Sequence, residues 1–216
     1  MKDDRSRSVL SQARVVEAAT EVADADGIEA LTMRRVAETL GFTTMSLYRH
    51  VPGKSELLDL MVDAVWGETA HTPKGPWREG LDFYARQLWS MYRAHPWLLQ
   101  LTTARRVPGP NAMTRTDAAF AVVSELGLKS EEMVAVVTSV SQFVAGAGRT
   151  TAETGVSELW EHFAPERLPM MAHIRSTGGY ERALDEFEFG LARVLDGLAV
   201  FIEAGKAPLV RREASL

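Results

Sequence analysis

Apolar side chains recur along most of the chain at spacings of three and four residues, the periodicity of an α-helix with one buried face. No stretch alternates β-branched and polar residues between hairpin turns, as a half-buried strand would. The valine-rich segment 133–148 has high β propensity, but it is longer than a typical strand. Its apolar residues cover most of a helical surface, which favours a helix buried on more than one side. The sequence therefore predicts an all-α fold.

The first predicted helical unit runs from about residue 11 to residue 66. Gly27 and Gly41 are placed to end helices in the left-handed conformation. Thr32 and Ser55 are placed as N-caps, and another short helix begins at Thr43 or Thr44. The side chains predicted to face the core of this unit are Val15, Ala18, Ala19, Val22, Val36, Ala37, Leu40, Leu47, Val51, Leu57, Leu58, Met61, Val62, Val65 and Trp66.

Two helices of about two turns each, joined by a short turn at Gly41, match the helix-turn-helix layout. Ala37 is small enough for the two helices to cross closely, and Leu47 closes the core between them. The second helix leaves a face of short polar, thioether and aromatic groups that can reach base edges and thymine methyls in a major groove. Its members are Thr43, Thr44, Met45, Tyr48 and Arg49.

The formal net charge of the chain is −5, so any positive charge that attracts nucleic acid must be local. The ionised residues between Thr32 and Ser55 carry such an excess, and the helix N-termini add backbone N–H donors for phosphate. They are Arg34, Arg35, Glu38, Arg49 and Lys54. The alternative interpretation is a three-helix bundle whose charges are merely solvated.

The strings TMRRVAETLG and SLYRHVPGK, with the helix before them and SELLDLMVDAV after them, resemble the DNA-binding domain of TetR-type transcriptional repressors. The resemblance covers roughly residues 11–66 and implies that the second short helix enters the major groove. It implies phosphate or backbone contacts for Thr32, Tyr48, His50 and Lys54. It implies contacts with base edges for Arg34, Thr43, Thr44 and Met45.

The Pro- and Gly-containing segment HTPKGPW, 71–77, predicts a boundary between a helix-turn-helix domain, 1–70, and a larger helical bundle, 71–216. The valine-rich helix and the last helix have apolar surfaces wider than one core contact requires. Small residues such as Gly146, Gly190 and Gly197 would let helices approach closely. These features predict a homodimer through a four-helix interface, as the resemblance also implies, and the alternative is a larger monomeric core. The segment EFEFGLARVLDGL, 186–198, further resembles the last helix of the tetracycline repressor class.

The second unit is dense in aromatic and methionine side chains, which can line a pocket for a small amphipathic or aromatic effector. The alternative is that most of them belong to the core. The predicted pocket residues are Trp89, Tyr92, Phe120, Gln142 and Phe143. Near Ala70 the match to the ligand-binding histidine of the tetracycline repressor fails, and only His71 lies nearby. Magnesium–tetracycline is therefore not implied as the effector.

Other classes of function find little support. The chain has no cysteine, which excludes disulfides, thiolate metal sites and cysteine nucleophiles. Its five histidines are scattered, no catalytic motif is present, and neither a metal nor a cofactor is expected. No apolar run is long enough to span a membrane, and the charged N-terminus has no signal-peptide pattern. We expect a cytoplasmic, non-enzymatic, ligand-responsive repressor that binds a palindromic double-stranded operator as a homodimer. The alternative is a helical dimeric adaptor or small-molecule-binding protein without sequence-specific DNA binding.

Overall fold

The computed structural model describes residues 9–68, 75–101, 108–150, 167–178 and 185–203. Over these ranges the chain forms ten α-helices and a 3-10 turn, Ile28–Ala30, with no strand, which confirms the all-α prediction. The helices are α1 (Gln12–Asp26), α2 (Met33–Leu40), α3 (Thr44–Tyr48), α4 (Lys54–Gly67), α5 (Trp77–Ala94), α6 (Trp97–Leu101), α7 (Pro110–Val123), α8 (Ser130–Thr150), α9 (Pro169–Ser176) and α10 (Glu186–Glu203).

The chain divides into two compact units. The first combines Met1–Thr72 with Gln87–Ala118, and the second combines Pro73–Arg86 with Ala119–Leu216. Helices α5 and α7 therefore contribute residues to both units. The division of function between 1–70 and 71–216 stays a prediction.

The first unit buries the apolar stripe that the sequence predicts. Val15, Val36, Leu47 and Met61 have no solvent exposure, so α1 to α4 share one core. Leu40, Val62 and Trp66, which were also expected to face inward, are half-buried at its edge.

Local capping explains where the short helices begin and end. The Thr32 hydroxyl accepts a hydrogen bond from the backbone N–H of Arg35 at 3.1 Å, which starts α2. Gly41 ends α2 in the left-handed conformation, with φ 72° and ψ 27°, as predicted. Gly27 also has a positive φ of 82°, but its ψ of 163° lies outside the predicted left-handed helical region.

The predicted N-cap at Ser55 is wrong. The Gly53 carbonyl already accepts the first helical hydrogen bond of α4, from the Leu57 N–H at 3.0 Å. Gly53 is therefore the N-cap, although it has no side chain to accept a bond, and Ser55 lies inside the first turn.

In the second unit, α8 and α10 pack against each other. The valine-rich segment is a helix, as predicted, and Val136, Val140 and Val144 are buried. The rings of Phe143 and Phe187 stack with their centroids 6.1 Å apart. A Cβ at Gly190 would lie 2.4 Å from Cε2 of Phe143, so this glycine permits close packing within the chain. The last predicted helix, which contains the segment 186–198, is α10.

Candidate nucleic-acid interface

Helix α3 is fixed at both ends by hydrogen bonds and by a buried anchor. The Thr43 hydroxyl accepts from the Ser46 N–H at 3.3 Å and shares a hydrogen bond of 2.9 Å with the Ser46 hydroxyl. After α3, the N–H groups of His50 and Val51 donate to the Leu47 carbonyl at 2.8 and 2.9 Å. Because Leu47 and Val51 are fully buried, the orientation of this short helix is set by the core beneath it.

The outer face of α3 and its cap present Thr43, Thr44 and Met45, which the resemblance implies for base contacts, and Tyr48, which it implies for phosphate or backbone contacts. Met45 is 73% exposed and Tyr48 is 42% exposed. Thr43 is exposed and Thr44 is half-buried at the start of the helix. The structure therefore brings these four residues together on one short helix and its cap.

The residues predicted to contact phosphate occupy three helix boundaries. Thr32 is exposed and caps α2, and Lys54 is exposed at the start of α4. His50 is half-buried after α3, and its carbonyl accepts from Nε2 of Gln12 at 3.4 Å. Helix starts carry unbonded N–H groups and positive dipole ends, which favour anions.

Two arginines of α2 are held by carboxylates. Nε of Arg34 donates to Oε1 of Glu38 at 2.8 Å, and Nη2 of Arg35 donates to Oδ2 of Asp26 at 2.9 Å. The hydrogen bond that Arg34 donates to Glu38, followed by the negative charge of that carboxylate, raises the pKa of Arg34 above its ordinary value. Sequence analysis missed both partners, although the spacing of Arg34 and Glu38, i and i+4, is the helical spacing for an ion pair.

Two further contacts tie the helices beneath this surface to later parts of the first unit. His95 is buried and lies between Asp24 and Glu68, with Nδ1–Oδ1 at 2.8 Å and Nε2–Oε2 at 3.1 Å. Nε1 of Trp97 also donates to Oδ1 of Asp24, at 2.7 Å. These bonds join α1 and the end of α4 to α6.

Asp63 of α4 caps the start of α7. Its Oδ1 accepts from the N–H groups of Asn111 and Ala112 at 2.9 and 3.2 Å. An acidic group at a helix N-terminus satisfies unbonded donors and complements the dipole. Helix α4 is therefore bonded to later parts of the chain at two points, Asp63 within it and Glu68 at its end.

The predicted effector residues are divided between the units. In the first, Trp89 is half-buried and Tyr92 is buried. In the second, Phe120 and Phe143 are half-buried and Gln142 is exposed on α8. Other side chains line two cavities, of about 670 Å³ beside α1 and α4 and about 290 Å³ beside α5 and α10. The role of the five residues stays a prediction, and His71 lies outside the described residues.

The described residues contain no candidate for a metal site or for a membrane span. No cluster of three or more histidine or acidic side chains there could hold a metal ion. None of the described helices is long and apolar enough to cross a membrane.

Comparison with known proteins covers both halves of the chain. Residues 15–61 match the family described as "Bacterial regulatory proteins, tetR family", and residues 69–202 match "Tetracyclin repressor-like, C-terminal domain". The transcriptional repressor DrrR1 of Streptomyces coeruleorubidus is 40% identical over 91% of this chain and 80% of its own length. The class A tetracycline repressor from transposon 1721 of Escherichia coli is 30% identical over 86% of this chain and 88% of its own.

Among solved structures, that of the Streptomyces coelicolor TetR family protein ActR in complex with actinorhodin superposes with a TM-score of 0.76. It is 29% identical, and the match covers 93% of this chain and 100% of that one. The similarity thus extends through both units rather than through the first helices alone.

Proposed function

The chain belongs to the TetR family of transcriptional regulators, and from this premise we propose that it is a ligand-responsive repressor that binds a palindromic operator as a homodimer. Helices α2 and α3 read the DNA, and a small-molecule effector releases it. DrrR1, at 40% identity, is itself named a transcriptional repressor.

The observation that carries the DNA-binding proposal is the exposed face of α3 over a fully buried Leu47. Met45 and Tyr48 project from a helix too short to move independently of its core. Apolar and hydroxyl groups in this position suit thymine methyls and base edges. Lys54 and the N-terminus of α4 supply cationic and N–H contacts for phosphate.

The homodimer is supported by the exposed side of α10. Phe189 is 50% exposed and Val200 is 67% exposed, and Gly197 lies between them at helical spacing. A Cβ at Gly197 would meet nothing within 4 Å, so a second helix has room to approach there. With the exposed side of α8, this surface provides half of a four-helix interface.

A dimer of this kind sets the geometry of its operator. Two recognition helices related by a twofold axis read half-sites about one helical turn, roughly 34 to 36 Å, apart, or a multiple of that distance. The operator is therefore an inverted repeat.

The effector proposal is supported by the match of residues 69–202 to the tetracycline-repressor C-terminal domain and by the ActR complex with actinorhodin. We propose a small amphipathic or aromatic effector that contacts Trp89, Tyr92, Phe120, Gln142 or Phe143. About a 100-fold preference for the form that cannot bind DNA corresponds to roughly 2.7 kcal/mol. That difference is enough to shift the protein away from its operator.

Selection of bound duplexes from a random DNA pool tests the DNA-binding function and the dimer together. An inverted repeat shared by the recovered duplexes is the expected result. If the protein retains duplexes without any sequence enrichment, and salt does not change how much DNA it retains, a helical adaptor or a small-molecule-binding protein is favoured instead.

Thermal shift screening on the free protein tests the effector. A true inducer raises the melting temperature of the free protein. Operator DNA must weaken inducer binding by the same factor by which the inducer weakens operator binding. Compounds that bind equally well with and without operator would show that the second unit does not respond to a ligand.

A further inference from the structure

The contact between Arg34 and Glu38 lies on α2, at the start of the predicted reading surface. This surface consists of the exposed side chains of α2 and α3 that are proposed to contact DNA, namely Arg34, Thr43, Thr44, Met45 and Tyr48. Arg34 is in the first turn of α2, two residues after its cap, and its side chain is 84% exposed. The Glu38 side chain, one turn further along, is 56% exposed. Exposed ion pairs of this type contribute little to folding stability. Its effect on the direction of the arginine side chain is therefore the more informative property.

The geometry of the pair leaves one edge of the guanidinium available. The bond to Glu38 is made through Nε, at 2.8 Å. Within the described residues, the structure records no further bond from Nη1 or Nη2 of Arg34. In Arg35, by contrast, the bond to Asp26 is made through Nη2, at 2.9 Å. The two neighbouring arginines thus present different donors.

A free Nη edge matches one base in the major groove. Guanine presents two acceptors there, O6 and N7, and arginine binds them with two parallel N–H donors. An unrestrained arginine at the surface must lose rotamer freedom to make that contact. A carboxylate that holds Nε orders the side chain beforehand without occupying the donors that guanine needs.

We propose that Glu38 is a positioning residue that presents Arg34 to a guanine in each operator half-site. The inference rests on the proposed DNA-binding function and adds to it a base identity and a specificity-determining carboxylate. Because Glu38 is an anion near DNA, it also disfavours phosphate contacts, so its contribution is to discrimination rather than to general affinity.

The test uses full-length protein and the selected operator, together with duplexes substituted one base pair at a time, at one salt concentration. Arg34→Ala should lose discrimination at a single G·C pair in each half-site. Glu38→Ala should lower discrimination at that same pair about tenfold. Glu38→Gln should retain most of the discrimination, because its amide oxygen can still accept a hydrogen bond from Nε.

Asp26→Asn is the matched control, since it removes the negative charge from the neighbouring ion pair, that of Arg35 with Asp26. It should change affinity for all duplexes by one common factor. The double variant Arg34→Ala with Glu38→Ala should discriminate no worse than Arg34→Ala alone, because Glu38 acts through Arg34. Circular dichroism melts report whether the variants fold.

Two results would overturn the inference while the proposed function stands. In one, Glu38→Ala changes affinity for every duplex by a common factor, as Asp26→Asn does. In the other, Arg34→Ala weakens all duplexes equally, which is the behaviour of a phosphate contact. Failure of the proposed function is a separate result, in which the wild-type protein itself shows no preference among the duplexes.

Discussion

Helices α3 and α10 both expose large apolar side chains, but the surroundings of these side chains differ. On α3, Met45 and Tyr48 stand beside threonines, with Arg49 next along the chain. On α10, Phe189 and Val200 share a face with Gly197. The first setting suits a groove with polar edges and surrounding phosphates, whereas the second suits another helix. The two helices therefore support two different proposed partners, although an arginine, Arg193, also lies over the Phe189 ring, at 5.3 Å from its centre.

The two regions also differ in how completely they bury their cores. In the first unit, Leu47, Leu57 and Met61 are fully buried, so a well-buried core lies beneath the reading surface. In the second, Val140 of α8 and Leu191 of α10 are buried, while Val134 and Val200 of the same two helices are exposed. The first region thus has exposed side chains over a buried core, and the second has the exposed apolar surface on which the proposed dimer rests.

The largest expected effect comes from closing the space at Gly197. Gly197→Glu places a charge on the open face of α10, where it should prevent close helix approach and yield a monomer. Because two linked half-sites bind about 10² to 10⁴ times more tightly than one, operator binding should fall by a factor of that order. Sedimentation velocity and operator titration measure the two losses.

Gly197→Ala is the control for helix propensity. Its Cβ meets nothing within 4 Å of the same chain, so folding should be unaffected, and one uncharged methyl should weaken the dimer far less than Gly197→Glu does. Gly190→Ala should behave differently and lower the melting temperature, because its Cβ would collide with the Phe143 ring at 2.4 Å. A Gly197→Glu protein that stays dimeric would place the interface elsewhere.

The next effect concerns the exposed face of α3. Tyr48→Ala or Thr44→Ala should each cost on the order of 1 to 3 kcal/mol of operator binding and change base preference. Folding should be little affected for Tyr48, whose ring is partly exposed. Titrations with the selected operator and its single-base variants measure the cost. Met113→Ala, at an exposed methionine of α7, is the control and should leave binding unchanged.

Much of the reading surface was predictable because its determinants are local. A threonine cap, a glycine with positive φ and a buried leucine lie within 16 residues of sequence, Thr32 to Leu47, and each acts on its immediate neighbours. The alternation of buried and exposed positions in α2 and α3 follows directly from helical periodicity.

The remaining features depend on contacts between distant parts of the chain. Nothing around His95 in the sequence indicates that Asp24 and Glu68 bind its two nitrogens. Gly190 looked like a residue for close helix approach, but only the fold identifies its neighbour as Phe143. The prediction failed at Ser55 because residue type alone does not distinguish a serine at the cap from one two positions later, inside the first turn.

A smaller effect separates phosphate contact from base reading. Lys54→Ala should weaken binding to all sequences alike and reduce the slope of log K against log salt by about one for each subunit of the bound dimer. Lys129→Ala, at an exposed lysine before α8, should leave the slope unchanged. An unaltered slope in Lys54→Ala would remove this lysine from the interface.

The smallest expected effect concerns ion pairs of the second unit and the acid stability of the protein. Nη2 of Arg86 donates to Oε2 of Glu188 at 2.8 Å, and this bond lowers the pKa of Glu188 below its ordinary value of 4.5. Hydrogen bonds from Arg193 and then Arg78 likewise lower the pKa of Asp196. Because these carboxyls have lower pKa values folded than unfolded, their stabilisation is present above the unfolded pKa. It is lost as the pH falls through the folded pKa.

Arg86→Met should therefore reduce the melting temperature slightly at neutral pH and make its decline below about pH 4.5 shallower. The effect is small because the pair is exposed and screened by salt. Arg93→Met, the same change two turns further along α5, is the control and should retain the wild-type decline. Calorimetric melts between pH 7 and pH 3 measure this difference. If the melting temperatures of wild type and Arg86→Met fall equally with pH, the Arg86–Glu188 pair contributes nothing to the packing of α10.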